Sequence, residues 1–332
     1  MNKNHYSLKN KNWFIFLVLW LVANSAPAIA DDNATAPNLS ELQINGYYSK
    51  APSSDVEGGS GYGLNTKIYT PIIDNNWRLF AGEYYAHEDE PAAEGVIALW
   101  QTSAGVEYHD SAFKLTFAPT FNYYNNNDRF GATTDGQWTI NDHWTVGAGG
   151  QIFSLDTPLR ALNADVTANS YNVNATWHQD DTQSLRIDMN MMNFSDENLR
   201  GSEAAAYTDR LYTGQKFLLD AVANATESQD SLDEQRLYFN PKADFLGSAG
   251  LKATEVLYRD GNTVYLQSLQ LLPGDYWQEN YGQSFAFDAR YELRAHLNDG
   301  FEAGLGGDFN HQATDGTAEN SVTVLFDLTK RL

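Results

Sequence analysis

Phe285-Ala-Phe-Asp-Ala-Arg-Tyr-Glu-Leu-Arg-Ala-His-Leu297 decides how this chain is read. Phe285, Phe287, Ala289, Tyr291, Leu293, Ala295 and Leu297 fall on every second position. A period of two is that of a β-strand with one apolar and one polar face. The polar face carries Asp288, Arg290, Glu292, Arg294 and His296. One face therefore needs lipid or a core, and the other needs water.

The same pattern recurs along the chain. Phe113, Leu115, Phe117, Phe121 and Tyr123 alternate with Lys114, Thr116, Thr120 and Asn122. Leu185, Ile187, Met189 and Met191 alternate with Arg186, Asp188 and Asn190, and Val322, Val324, Phe326 and Leu328 follow the same rule. From Leu42 onward we count about sixteen such segments, and no long stretch has helical periodicity. Tight turns are expected at Asp74–Asn76, Asn141–Asp142, Gln179–Asp181, Asp260–Asn262 and Asn298–Gly300. Longer polar links are expected at Ala51–Gly59, Glu88–Glu94, Ser154–Val166, Ser195–Ala204, Ser228–Ala243 and Ala313–Asn320. Tight turns follow even segments and longer links follow odd ones, as in an outer-membrane barrel with short periplasmic turns.

The N-terminus reads as an export signal. Lys3, Lys9 and Lys11 precede an apolar run from Trp13 to Ala23, and Ala28-Ile29-Ala30 is a cleavage site. The expected division is therefore 1–30 signal peptide, 31–40 polar lead-in and 41–332 barrel. Lipid leaves no water for unpaired backbone groups, so a spanning sheet must close on itself. Aromatic residues near segment ends suit interfacial girdles, and opposed charges on one strand suit a wet lumen. The expected fold is all-β: a transmembrane antiparallel up-and-down β-barrel of about 16 strands. Its last residue is Leu332, in register with Phe326 and Leu328, where such barrels usually end on an aromatic.

The formal charge is −22, and loss of the three signal lysines leaves about −25. Such a chain repels nucleic acid. There is no Cys, hence no disulfide framework or thiolate chemistry. No nucleophile elbow, zinc-protease or nucleotide-binding motif occurs, and the histidines lie outside ligand spacing. We expect no catalytic activity, no metal and no cofactor.

The polar faces nominate a lumen wall: Asp188, Asp220, Asp288, Glu292, Asp308 and Asp327, with Arg186, Arg290 and Arg294 neutralising neighbours. The link Ser154-Leu-Asp-Thr-Pro-Leu-Arg-Ala-Leu162 is too apolar for an external loop. It reads either as a segment folded into the barrel mouth, with Asp156 and Arg160 forming a constriction, or as a short helix packed on a neighbouring loop.

Five pieces in order carry a family resemblance: Asp156-Thr-Pro-Leu-Arg-Ala-Leu162, Asn193-Phe-Ser-Asp196, Tyr238-Phe-Asn-Pro241, Glu255-Val-Leu-Tyr-Arg259 and Asp275-Tyr-Trp-Gln278 with Tyr281-Gly282. Together they resemble the C-terminal barrel of the PgaA family, the poly-β-1,6-N-acetylglucosamine export porins. The resemblance implies a barrel of about sixteen strands that exports a biofilm polysaccharide. That polymer is partly de-N-acetylated and carries ammonium groups, which an acidic lumen would attract. Full-length members resemble a tetratricopeptide superhelix followed by the barrel, whereas only Asp31 to Ser40 separates signal from barrel here. A separate periplasmic tetratricopeptide or deacetylase partner is therefore expected, or another cargo. The rival readings are a general diffusion porin, a structural or adhesive surface barrel, and a barrel exporting neutral cellulose.

Overall fold

The computed structural model describes residues 40–50, 60–71, 73, 76–90, 95–124, 127–232, 241–297, 300–314 and 316–332. The expected signal peptide, most of the expected lead-in, the link 51–59, and parts of the 74–76 and 298–300 turns lie outside these residues, as do 236–240.

The strands are β1 (Glu41–Lys50), β2 (Ser60–Tyr69), β3 (Trp77–Glu90), β4 (Gly95–His109), β5 (Phe113–Tyr124), β6 (Asn127–Thr139), β7 (Trp144–Ile152) and β8 (Ala168–His178). They continue as β9 (Gln183–Phe194), β10 (Leu199–Thr213), β11 (Phe217–Asp230), β12 (Ala243–Asp260), β13 (Thr263–Gln278), β14 (Gly282–His296), β15 (Phe301–Thr314) and β16 (Thr317–Arg331). One short helix, α1 (Leu159–Asn163), sits between β7 and β8. Each strand pairs antiparallel with its sequence neighbours, and β1 pairs with β16 from Glu41↔Arg331 to Lys50↔Val322. The sheet therefore has no edge, and its backbone donors and acceptors are paired within the protein. The count of sixteen holds.

The apolar rows face outward. Phe117, Leu293, Leu305, Phe326, Val173 and Met189 are all well exposed on the outer wall, where lipid covers them. Aromatic girdles close this band at both ends. On the side of the short turns, Trp77 packs on Tyr108 at 5.0 Å and Tyr258 on Tyr265 at 5.8 Å. At the other end Tyr85 packs on Trp100 at 4.8 Å and Phe121 on Phe130 at 5.4 Å. From Phe113 to Tyr123, β5 covers a height of about 26 Å at the usual rise and tilt, matching the apolar band of outer-membrane barrels. Two β-bulges, at Arg210/Tyr212 and Val256/Tyr258, add to the turn-side girdle. They let Leu211 and Tyr212, and likewise Leu257 and Tyr258, all lie exposed.

The turns are built locally. Between β4 and β5 the Asp110 carboxylate accepts from the Tyr108 hydroxyl at 2.8 Å and from the Ala112 and Phe113 amides at 2.8 and 2.7 Å. The hydroxyl first, and then the amides, hold this carboxyl below its usual range. At the β12–β13 turn Gly261 has φ +57°, a conformation that costs other residues.

Two stretches read as longer links, Ser195–Ala204 and Ala313–Asn320, are mostly strand, and two more, Glu88–Glu94 and Ser228–Ala243, begin as strand. β3 runs on to Glu90, β10 begins at Leu199, β11 runs on to Asp230, and β15 and β16 reach Thr314 and Thr317. Above the membrane both faces of a strand are wet, so polar side chains on both sides do not stop the backbone ladder. Polar composition marks where lipid ends, and the strand outlasts it.

Candidate functional site: the lumen and its inward loop

The rows opposite the lipid-facing ones point into the barrel. In β14 the outward Phe285, Tyr291 and Leu293 leave Asp288, Arg290, Glu292 and Arg294 facing the lumen. By the same alternation Asp188 on β9, Asp220 on β11, Asp308 on β15 and Asp327 on β16 are inward. Most of these charges are already paired. Arg186 holds Asp188 in a two-pronged contact at 2.7 and 2.6 Å. Arg210 pairs with Asp220, and Arg290 lies 3.6 Å from Asp308. Arg294 reaches Glu292 at 2.6 Å and Asp327 at 3.5 Å. Asp288 has no cation within 4.0 Å among the described residues, its neighbours being Gln270, Asp308 and Arg290. The wall is thus a mosaic of short-range dipoles more than a uniformly acidic sleeve.

The segment from Phe153 to Thr167 folds inward. Phe153 and Asp165 take left-handed backbone conformations, φ +61° and +59°, at its two ends. Such residues cost energy and persist only where the surroundings over-determine them. The surroundings here are apolar. Phe153 and Leu162, with Leu155 and Leu159, pack on Leu99 and Tyr124, which are inward residues of β4 and β5. Ala161 packs with Ala168, Met192 and Phe194, on the inward rows of β8 and β9. Tyr124 donates to the Asp165 carboxylate at 2.9 Å, and the Thr157 hydroxyl donates to the Ser154 carbonyl at 2.7 Å. The loop is therefore a short helix packed on the inner wall near the end opposite the chain termini. Asp156 is exposed, whereas Arg160 is 7% exposed and lies within the packed loop. The two nominated residues occupy different environments.

The structure adds a charge network that periodicity did not single out. Glu107 on β4, only 1% exposed, accepts from Arg78 at 2.7 Å and lies 3.5 Å from Lys114. Arg78 also reaches Glu41 at 3.5 Å and stacks 4.0 Å from the Tyr69 ring centre. Deeper in the loop's shadow Gln101 donates to Asn122 at 2.6 Å. Glu107 alternates with Val106 and Tyr108 and so reads as inward, but its partners on β3 and β5 follow from register alone. The Glu107→Ala variant leaves two cations without their shared anion. We expect a loss of about 2 kcal/mol, below the usual 3–5 for broken buried pairs because Arg78 and Lys114 keep contact with water. Urea unfolding in detergent measures it, and a change under about 0.5 kcal/mol would contradict the network's structural role.

Among the described residues no helix is long and apolar enough to cross a membrane. The family described as the PgaA membrane beta barrel domain matches residues 36–332. The poly-beta-1,6-N-acetyl-D-glucosamine export protein of Escherichia coli strain K12 is 27% identical over 294 residues, 89% of this chain and 36% of the relative. Its counterpart in Escherichia coli O157:H7 gives the same figures. This chain thus spans about a third of the length of the curated relatives it matches. A solved structure described as a bacterial polysaccharide outer membrane secretin superposes with a TM-score of 0.82 at 27% identity, covering 89% of this chain and 99% of that one. The closed strand barrel, its girdles and these likenesses place the protein in the outer membrane of a Gram-negative bacterium. The chain belongs to the PgaA membrane β-barrel domain family.

Proposed function

We propose that this barrel is an export conduit for a partly deacetylated poly-β-1,6-N-acetylglucosamine. The observation that supports it most is a closed barrel with charged side chains on its inward rows and a loop packed on one side of its inner wall, in a chain related to export proteins of that polymer. A polymer that must both enter and leave needs weak, repeated contacts. Paired charges supply these: Asp188, Asp220, Asp308, Glu292 and Asp327 each lie beside an arginine, the last two sharing Arg294, so none of them holds an ammonium strongly. Asp288, the nominated carboxylate without a close cation, is the exception and the strongest candidate for contact with a cationic sugar. A separate periplasmic chain bearing the tetratricopeptide or deacetylase function is part of this reading.

The test is single-channel conductance of the purified barrel in planar bilayers, with and without β-1,6-linked glucosamine oligomers. Reversible block is expected, and Asp288→Asn is expected to weaken block about threefold for cationic oligomers and little for fully acetylated ones. A large ohmic conductance indifferent to every oligomer would sink the export reading in favour of a general diffusion porin.

A further inference from the structure

The inward loop covers the inner face of β4, β5, β8 and β9. On the wall across the β1–β16 closure lies a trough of about 290 Å³, formed by β14, β15, β16, β1, β2 and Tyr84 of β3. This volume is at the small end of ligand pockets, which run from about 300 to 1,000 Å³. We propose that the trough is a station for a single pyranose unit of the transported chain, held between a tyrosine and a pre-set charged triad. This rests on the export reading above.

The floor is backbone. Gly306 is an inward position of β15 opposite Glu292 and Leu325. A side chain there would meet nothing closer than the Tyr291 carbonyl at 3.5 Å, so the wall itself does not require glycine. Glycine in a strand interior weakens the sheet and often marks the close approach of something else. What lies in front of Gly306 is the trough.

The sides carry the recognition chemistry. Tyr47 is pressed against Gly63, where an added Cβ would clash with its ring, so the ring is fixed to the wall while remaining half-exposed. Tyr84 lines the trough with Tyr47 and also packs on the inward loop. The trough therefore runs along the flank of the inward loop. Opposite, Arg294 is fixed by Glu292 and Asp327. A guanidinium held by two carboxylates loses little freedom when it donates to a third acceptor. Its donors suit a sugar hydroxyl or acyl oxygen, and the carboxylates' remaining lone pairs suit a hydroxyl or an ammonium. A hexosamine unit presents both kinds of group and an apolar ring edge for Tyr47.

The same bilayer recordings test this with Gly306→Leu, which fills the trough, and Tyr47→Ala, which removes its side. Heat-modifiable gel mobility confirms that each barrel is folded. We expect both variants to bind β-1,6-linked glucosamine oligomers about tenfold more weakly, which corresponds to about 1.4 kcal/mol. Conductance without sugar should change less than about twofold, because the trough lies to one side of a wide barrel. Gly306→Ala, which adds a single methyl group to the floor, should weaken block by less than Gly306→Leu does. Equal block in wild type, Gly306→Leu and Tyr47→Ala would overturn the station and leave the export reading standing. A wild-type barrel that no oligomer blocks would overturn both.

Discussion

Excision of Thr157–Leu162 is expected to raise single-channel conductance by about twofold or more, while the barrel still folds. A sixteen-strand barrel is wide enough for an aqueous channel unless something enters it. Here α1 and the turn before it enter, and they are held there by packing more than by hinges. Leu162 is 1% exposed and Ala161 fully buried, each in a different apolar cluster on the inner wall. The barrel does not need the loop, because β7 and β8 pair directly from Gln151↔Ser170 to Trp144↔Trp177. Removing the helix therefore opens cross-section at little cost to the strand ladder. A second variant keeps the chain length. Leu162→Asp puts a charge into the cluster of Leu99, Tyr124 and Phe153, where burial is unfavourable without a partner. The loop should then leave the wall, and conductance should become noisy, switching between wild-type and enlarged levels. If both variants conduct as wild type does, the loop does not limit the pore, and Asp156 loses its claim to a constriction. Loss of conductance in the excised barrel would contradict the argument more strongly, since it would make the loop part of the open path.

This loop also shows how far the sequence could be read. Three leucines around Pro158 in a supposed external link were enough to show that the segment seeks an apolar surface. They did not say which surface, because Leu99, Tyr124, Met192 and Phe194 lie on inward rows where the pattern anticipates polar residues. The alternation tells inward from outward, and it did so for Asp288, Arg290, Glu292 and Arg294 along one strand. It is silent on which inward residues meet across strands. Arg294 reaching Asp327 is a consequence of strand order and register, and so is Arg78 reaching Glu107. The two bulges were also out of reach, since alternation alone does not show where a strand carries an extra residue. The trough at Gly306 needed both strand order and the closure of β1 on β16. In the sequence alone, Gly304, Gly306 and Gly307 read first as barrel curvature.

Leu305→Arg is expected to destabilise the barrel by about 2–4 kcal/mol, and Asn310→Arg on the same strand by less than about 1 kcal/mol. The two positions lie five residues apart on β15, on opposite faces. Leu305 is the centre of the outward row from Phe301 to Phe309, it is 53% exposed, and its cross-strand neighbours are Leu293 and Phe326. Among the described residues no carboxylate stands beside it on that face, so an arginine there would sit in hydrocarbon without a counter-ion. Asn310 faces inward, opposite Asp288 and Ser321. An arginine there finds water and an unneutralised carboxylate. A soluble sandwich would give a different pair of results: its apolar face would be the core and its polar face the surface, and both substitutions could be measured in plain buffer. In a membrane barrel the penalty at Leu305 depends on lipid, so it should be large in bilayers and shrink in short-chain detergent, where the slab is thin and water is near. Reversible unfolding of both variants in liposomes and in detergent measures this difference. Equal penalties at the two positions would mean that the inward and outward rows have been exchanged, and the lumen assignments of Asp288, Glu292 and Arg294 would fall with them.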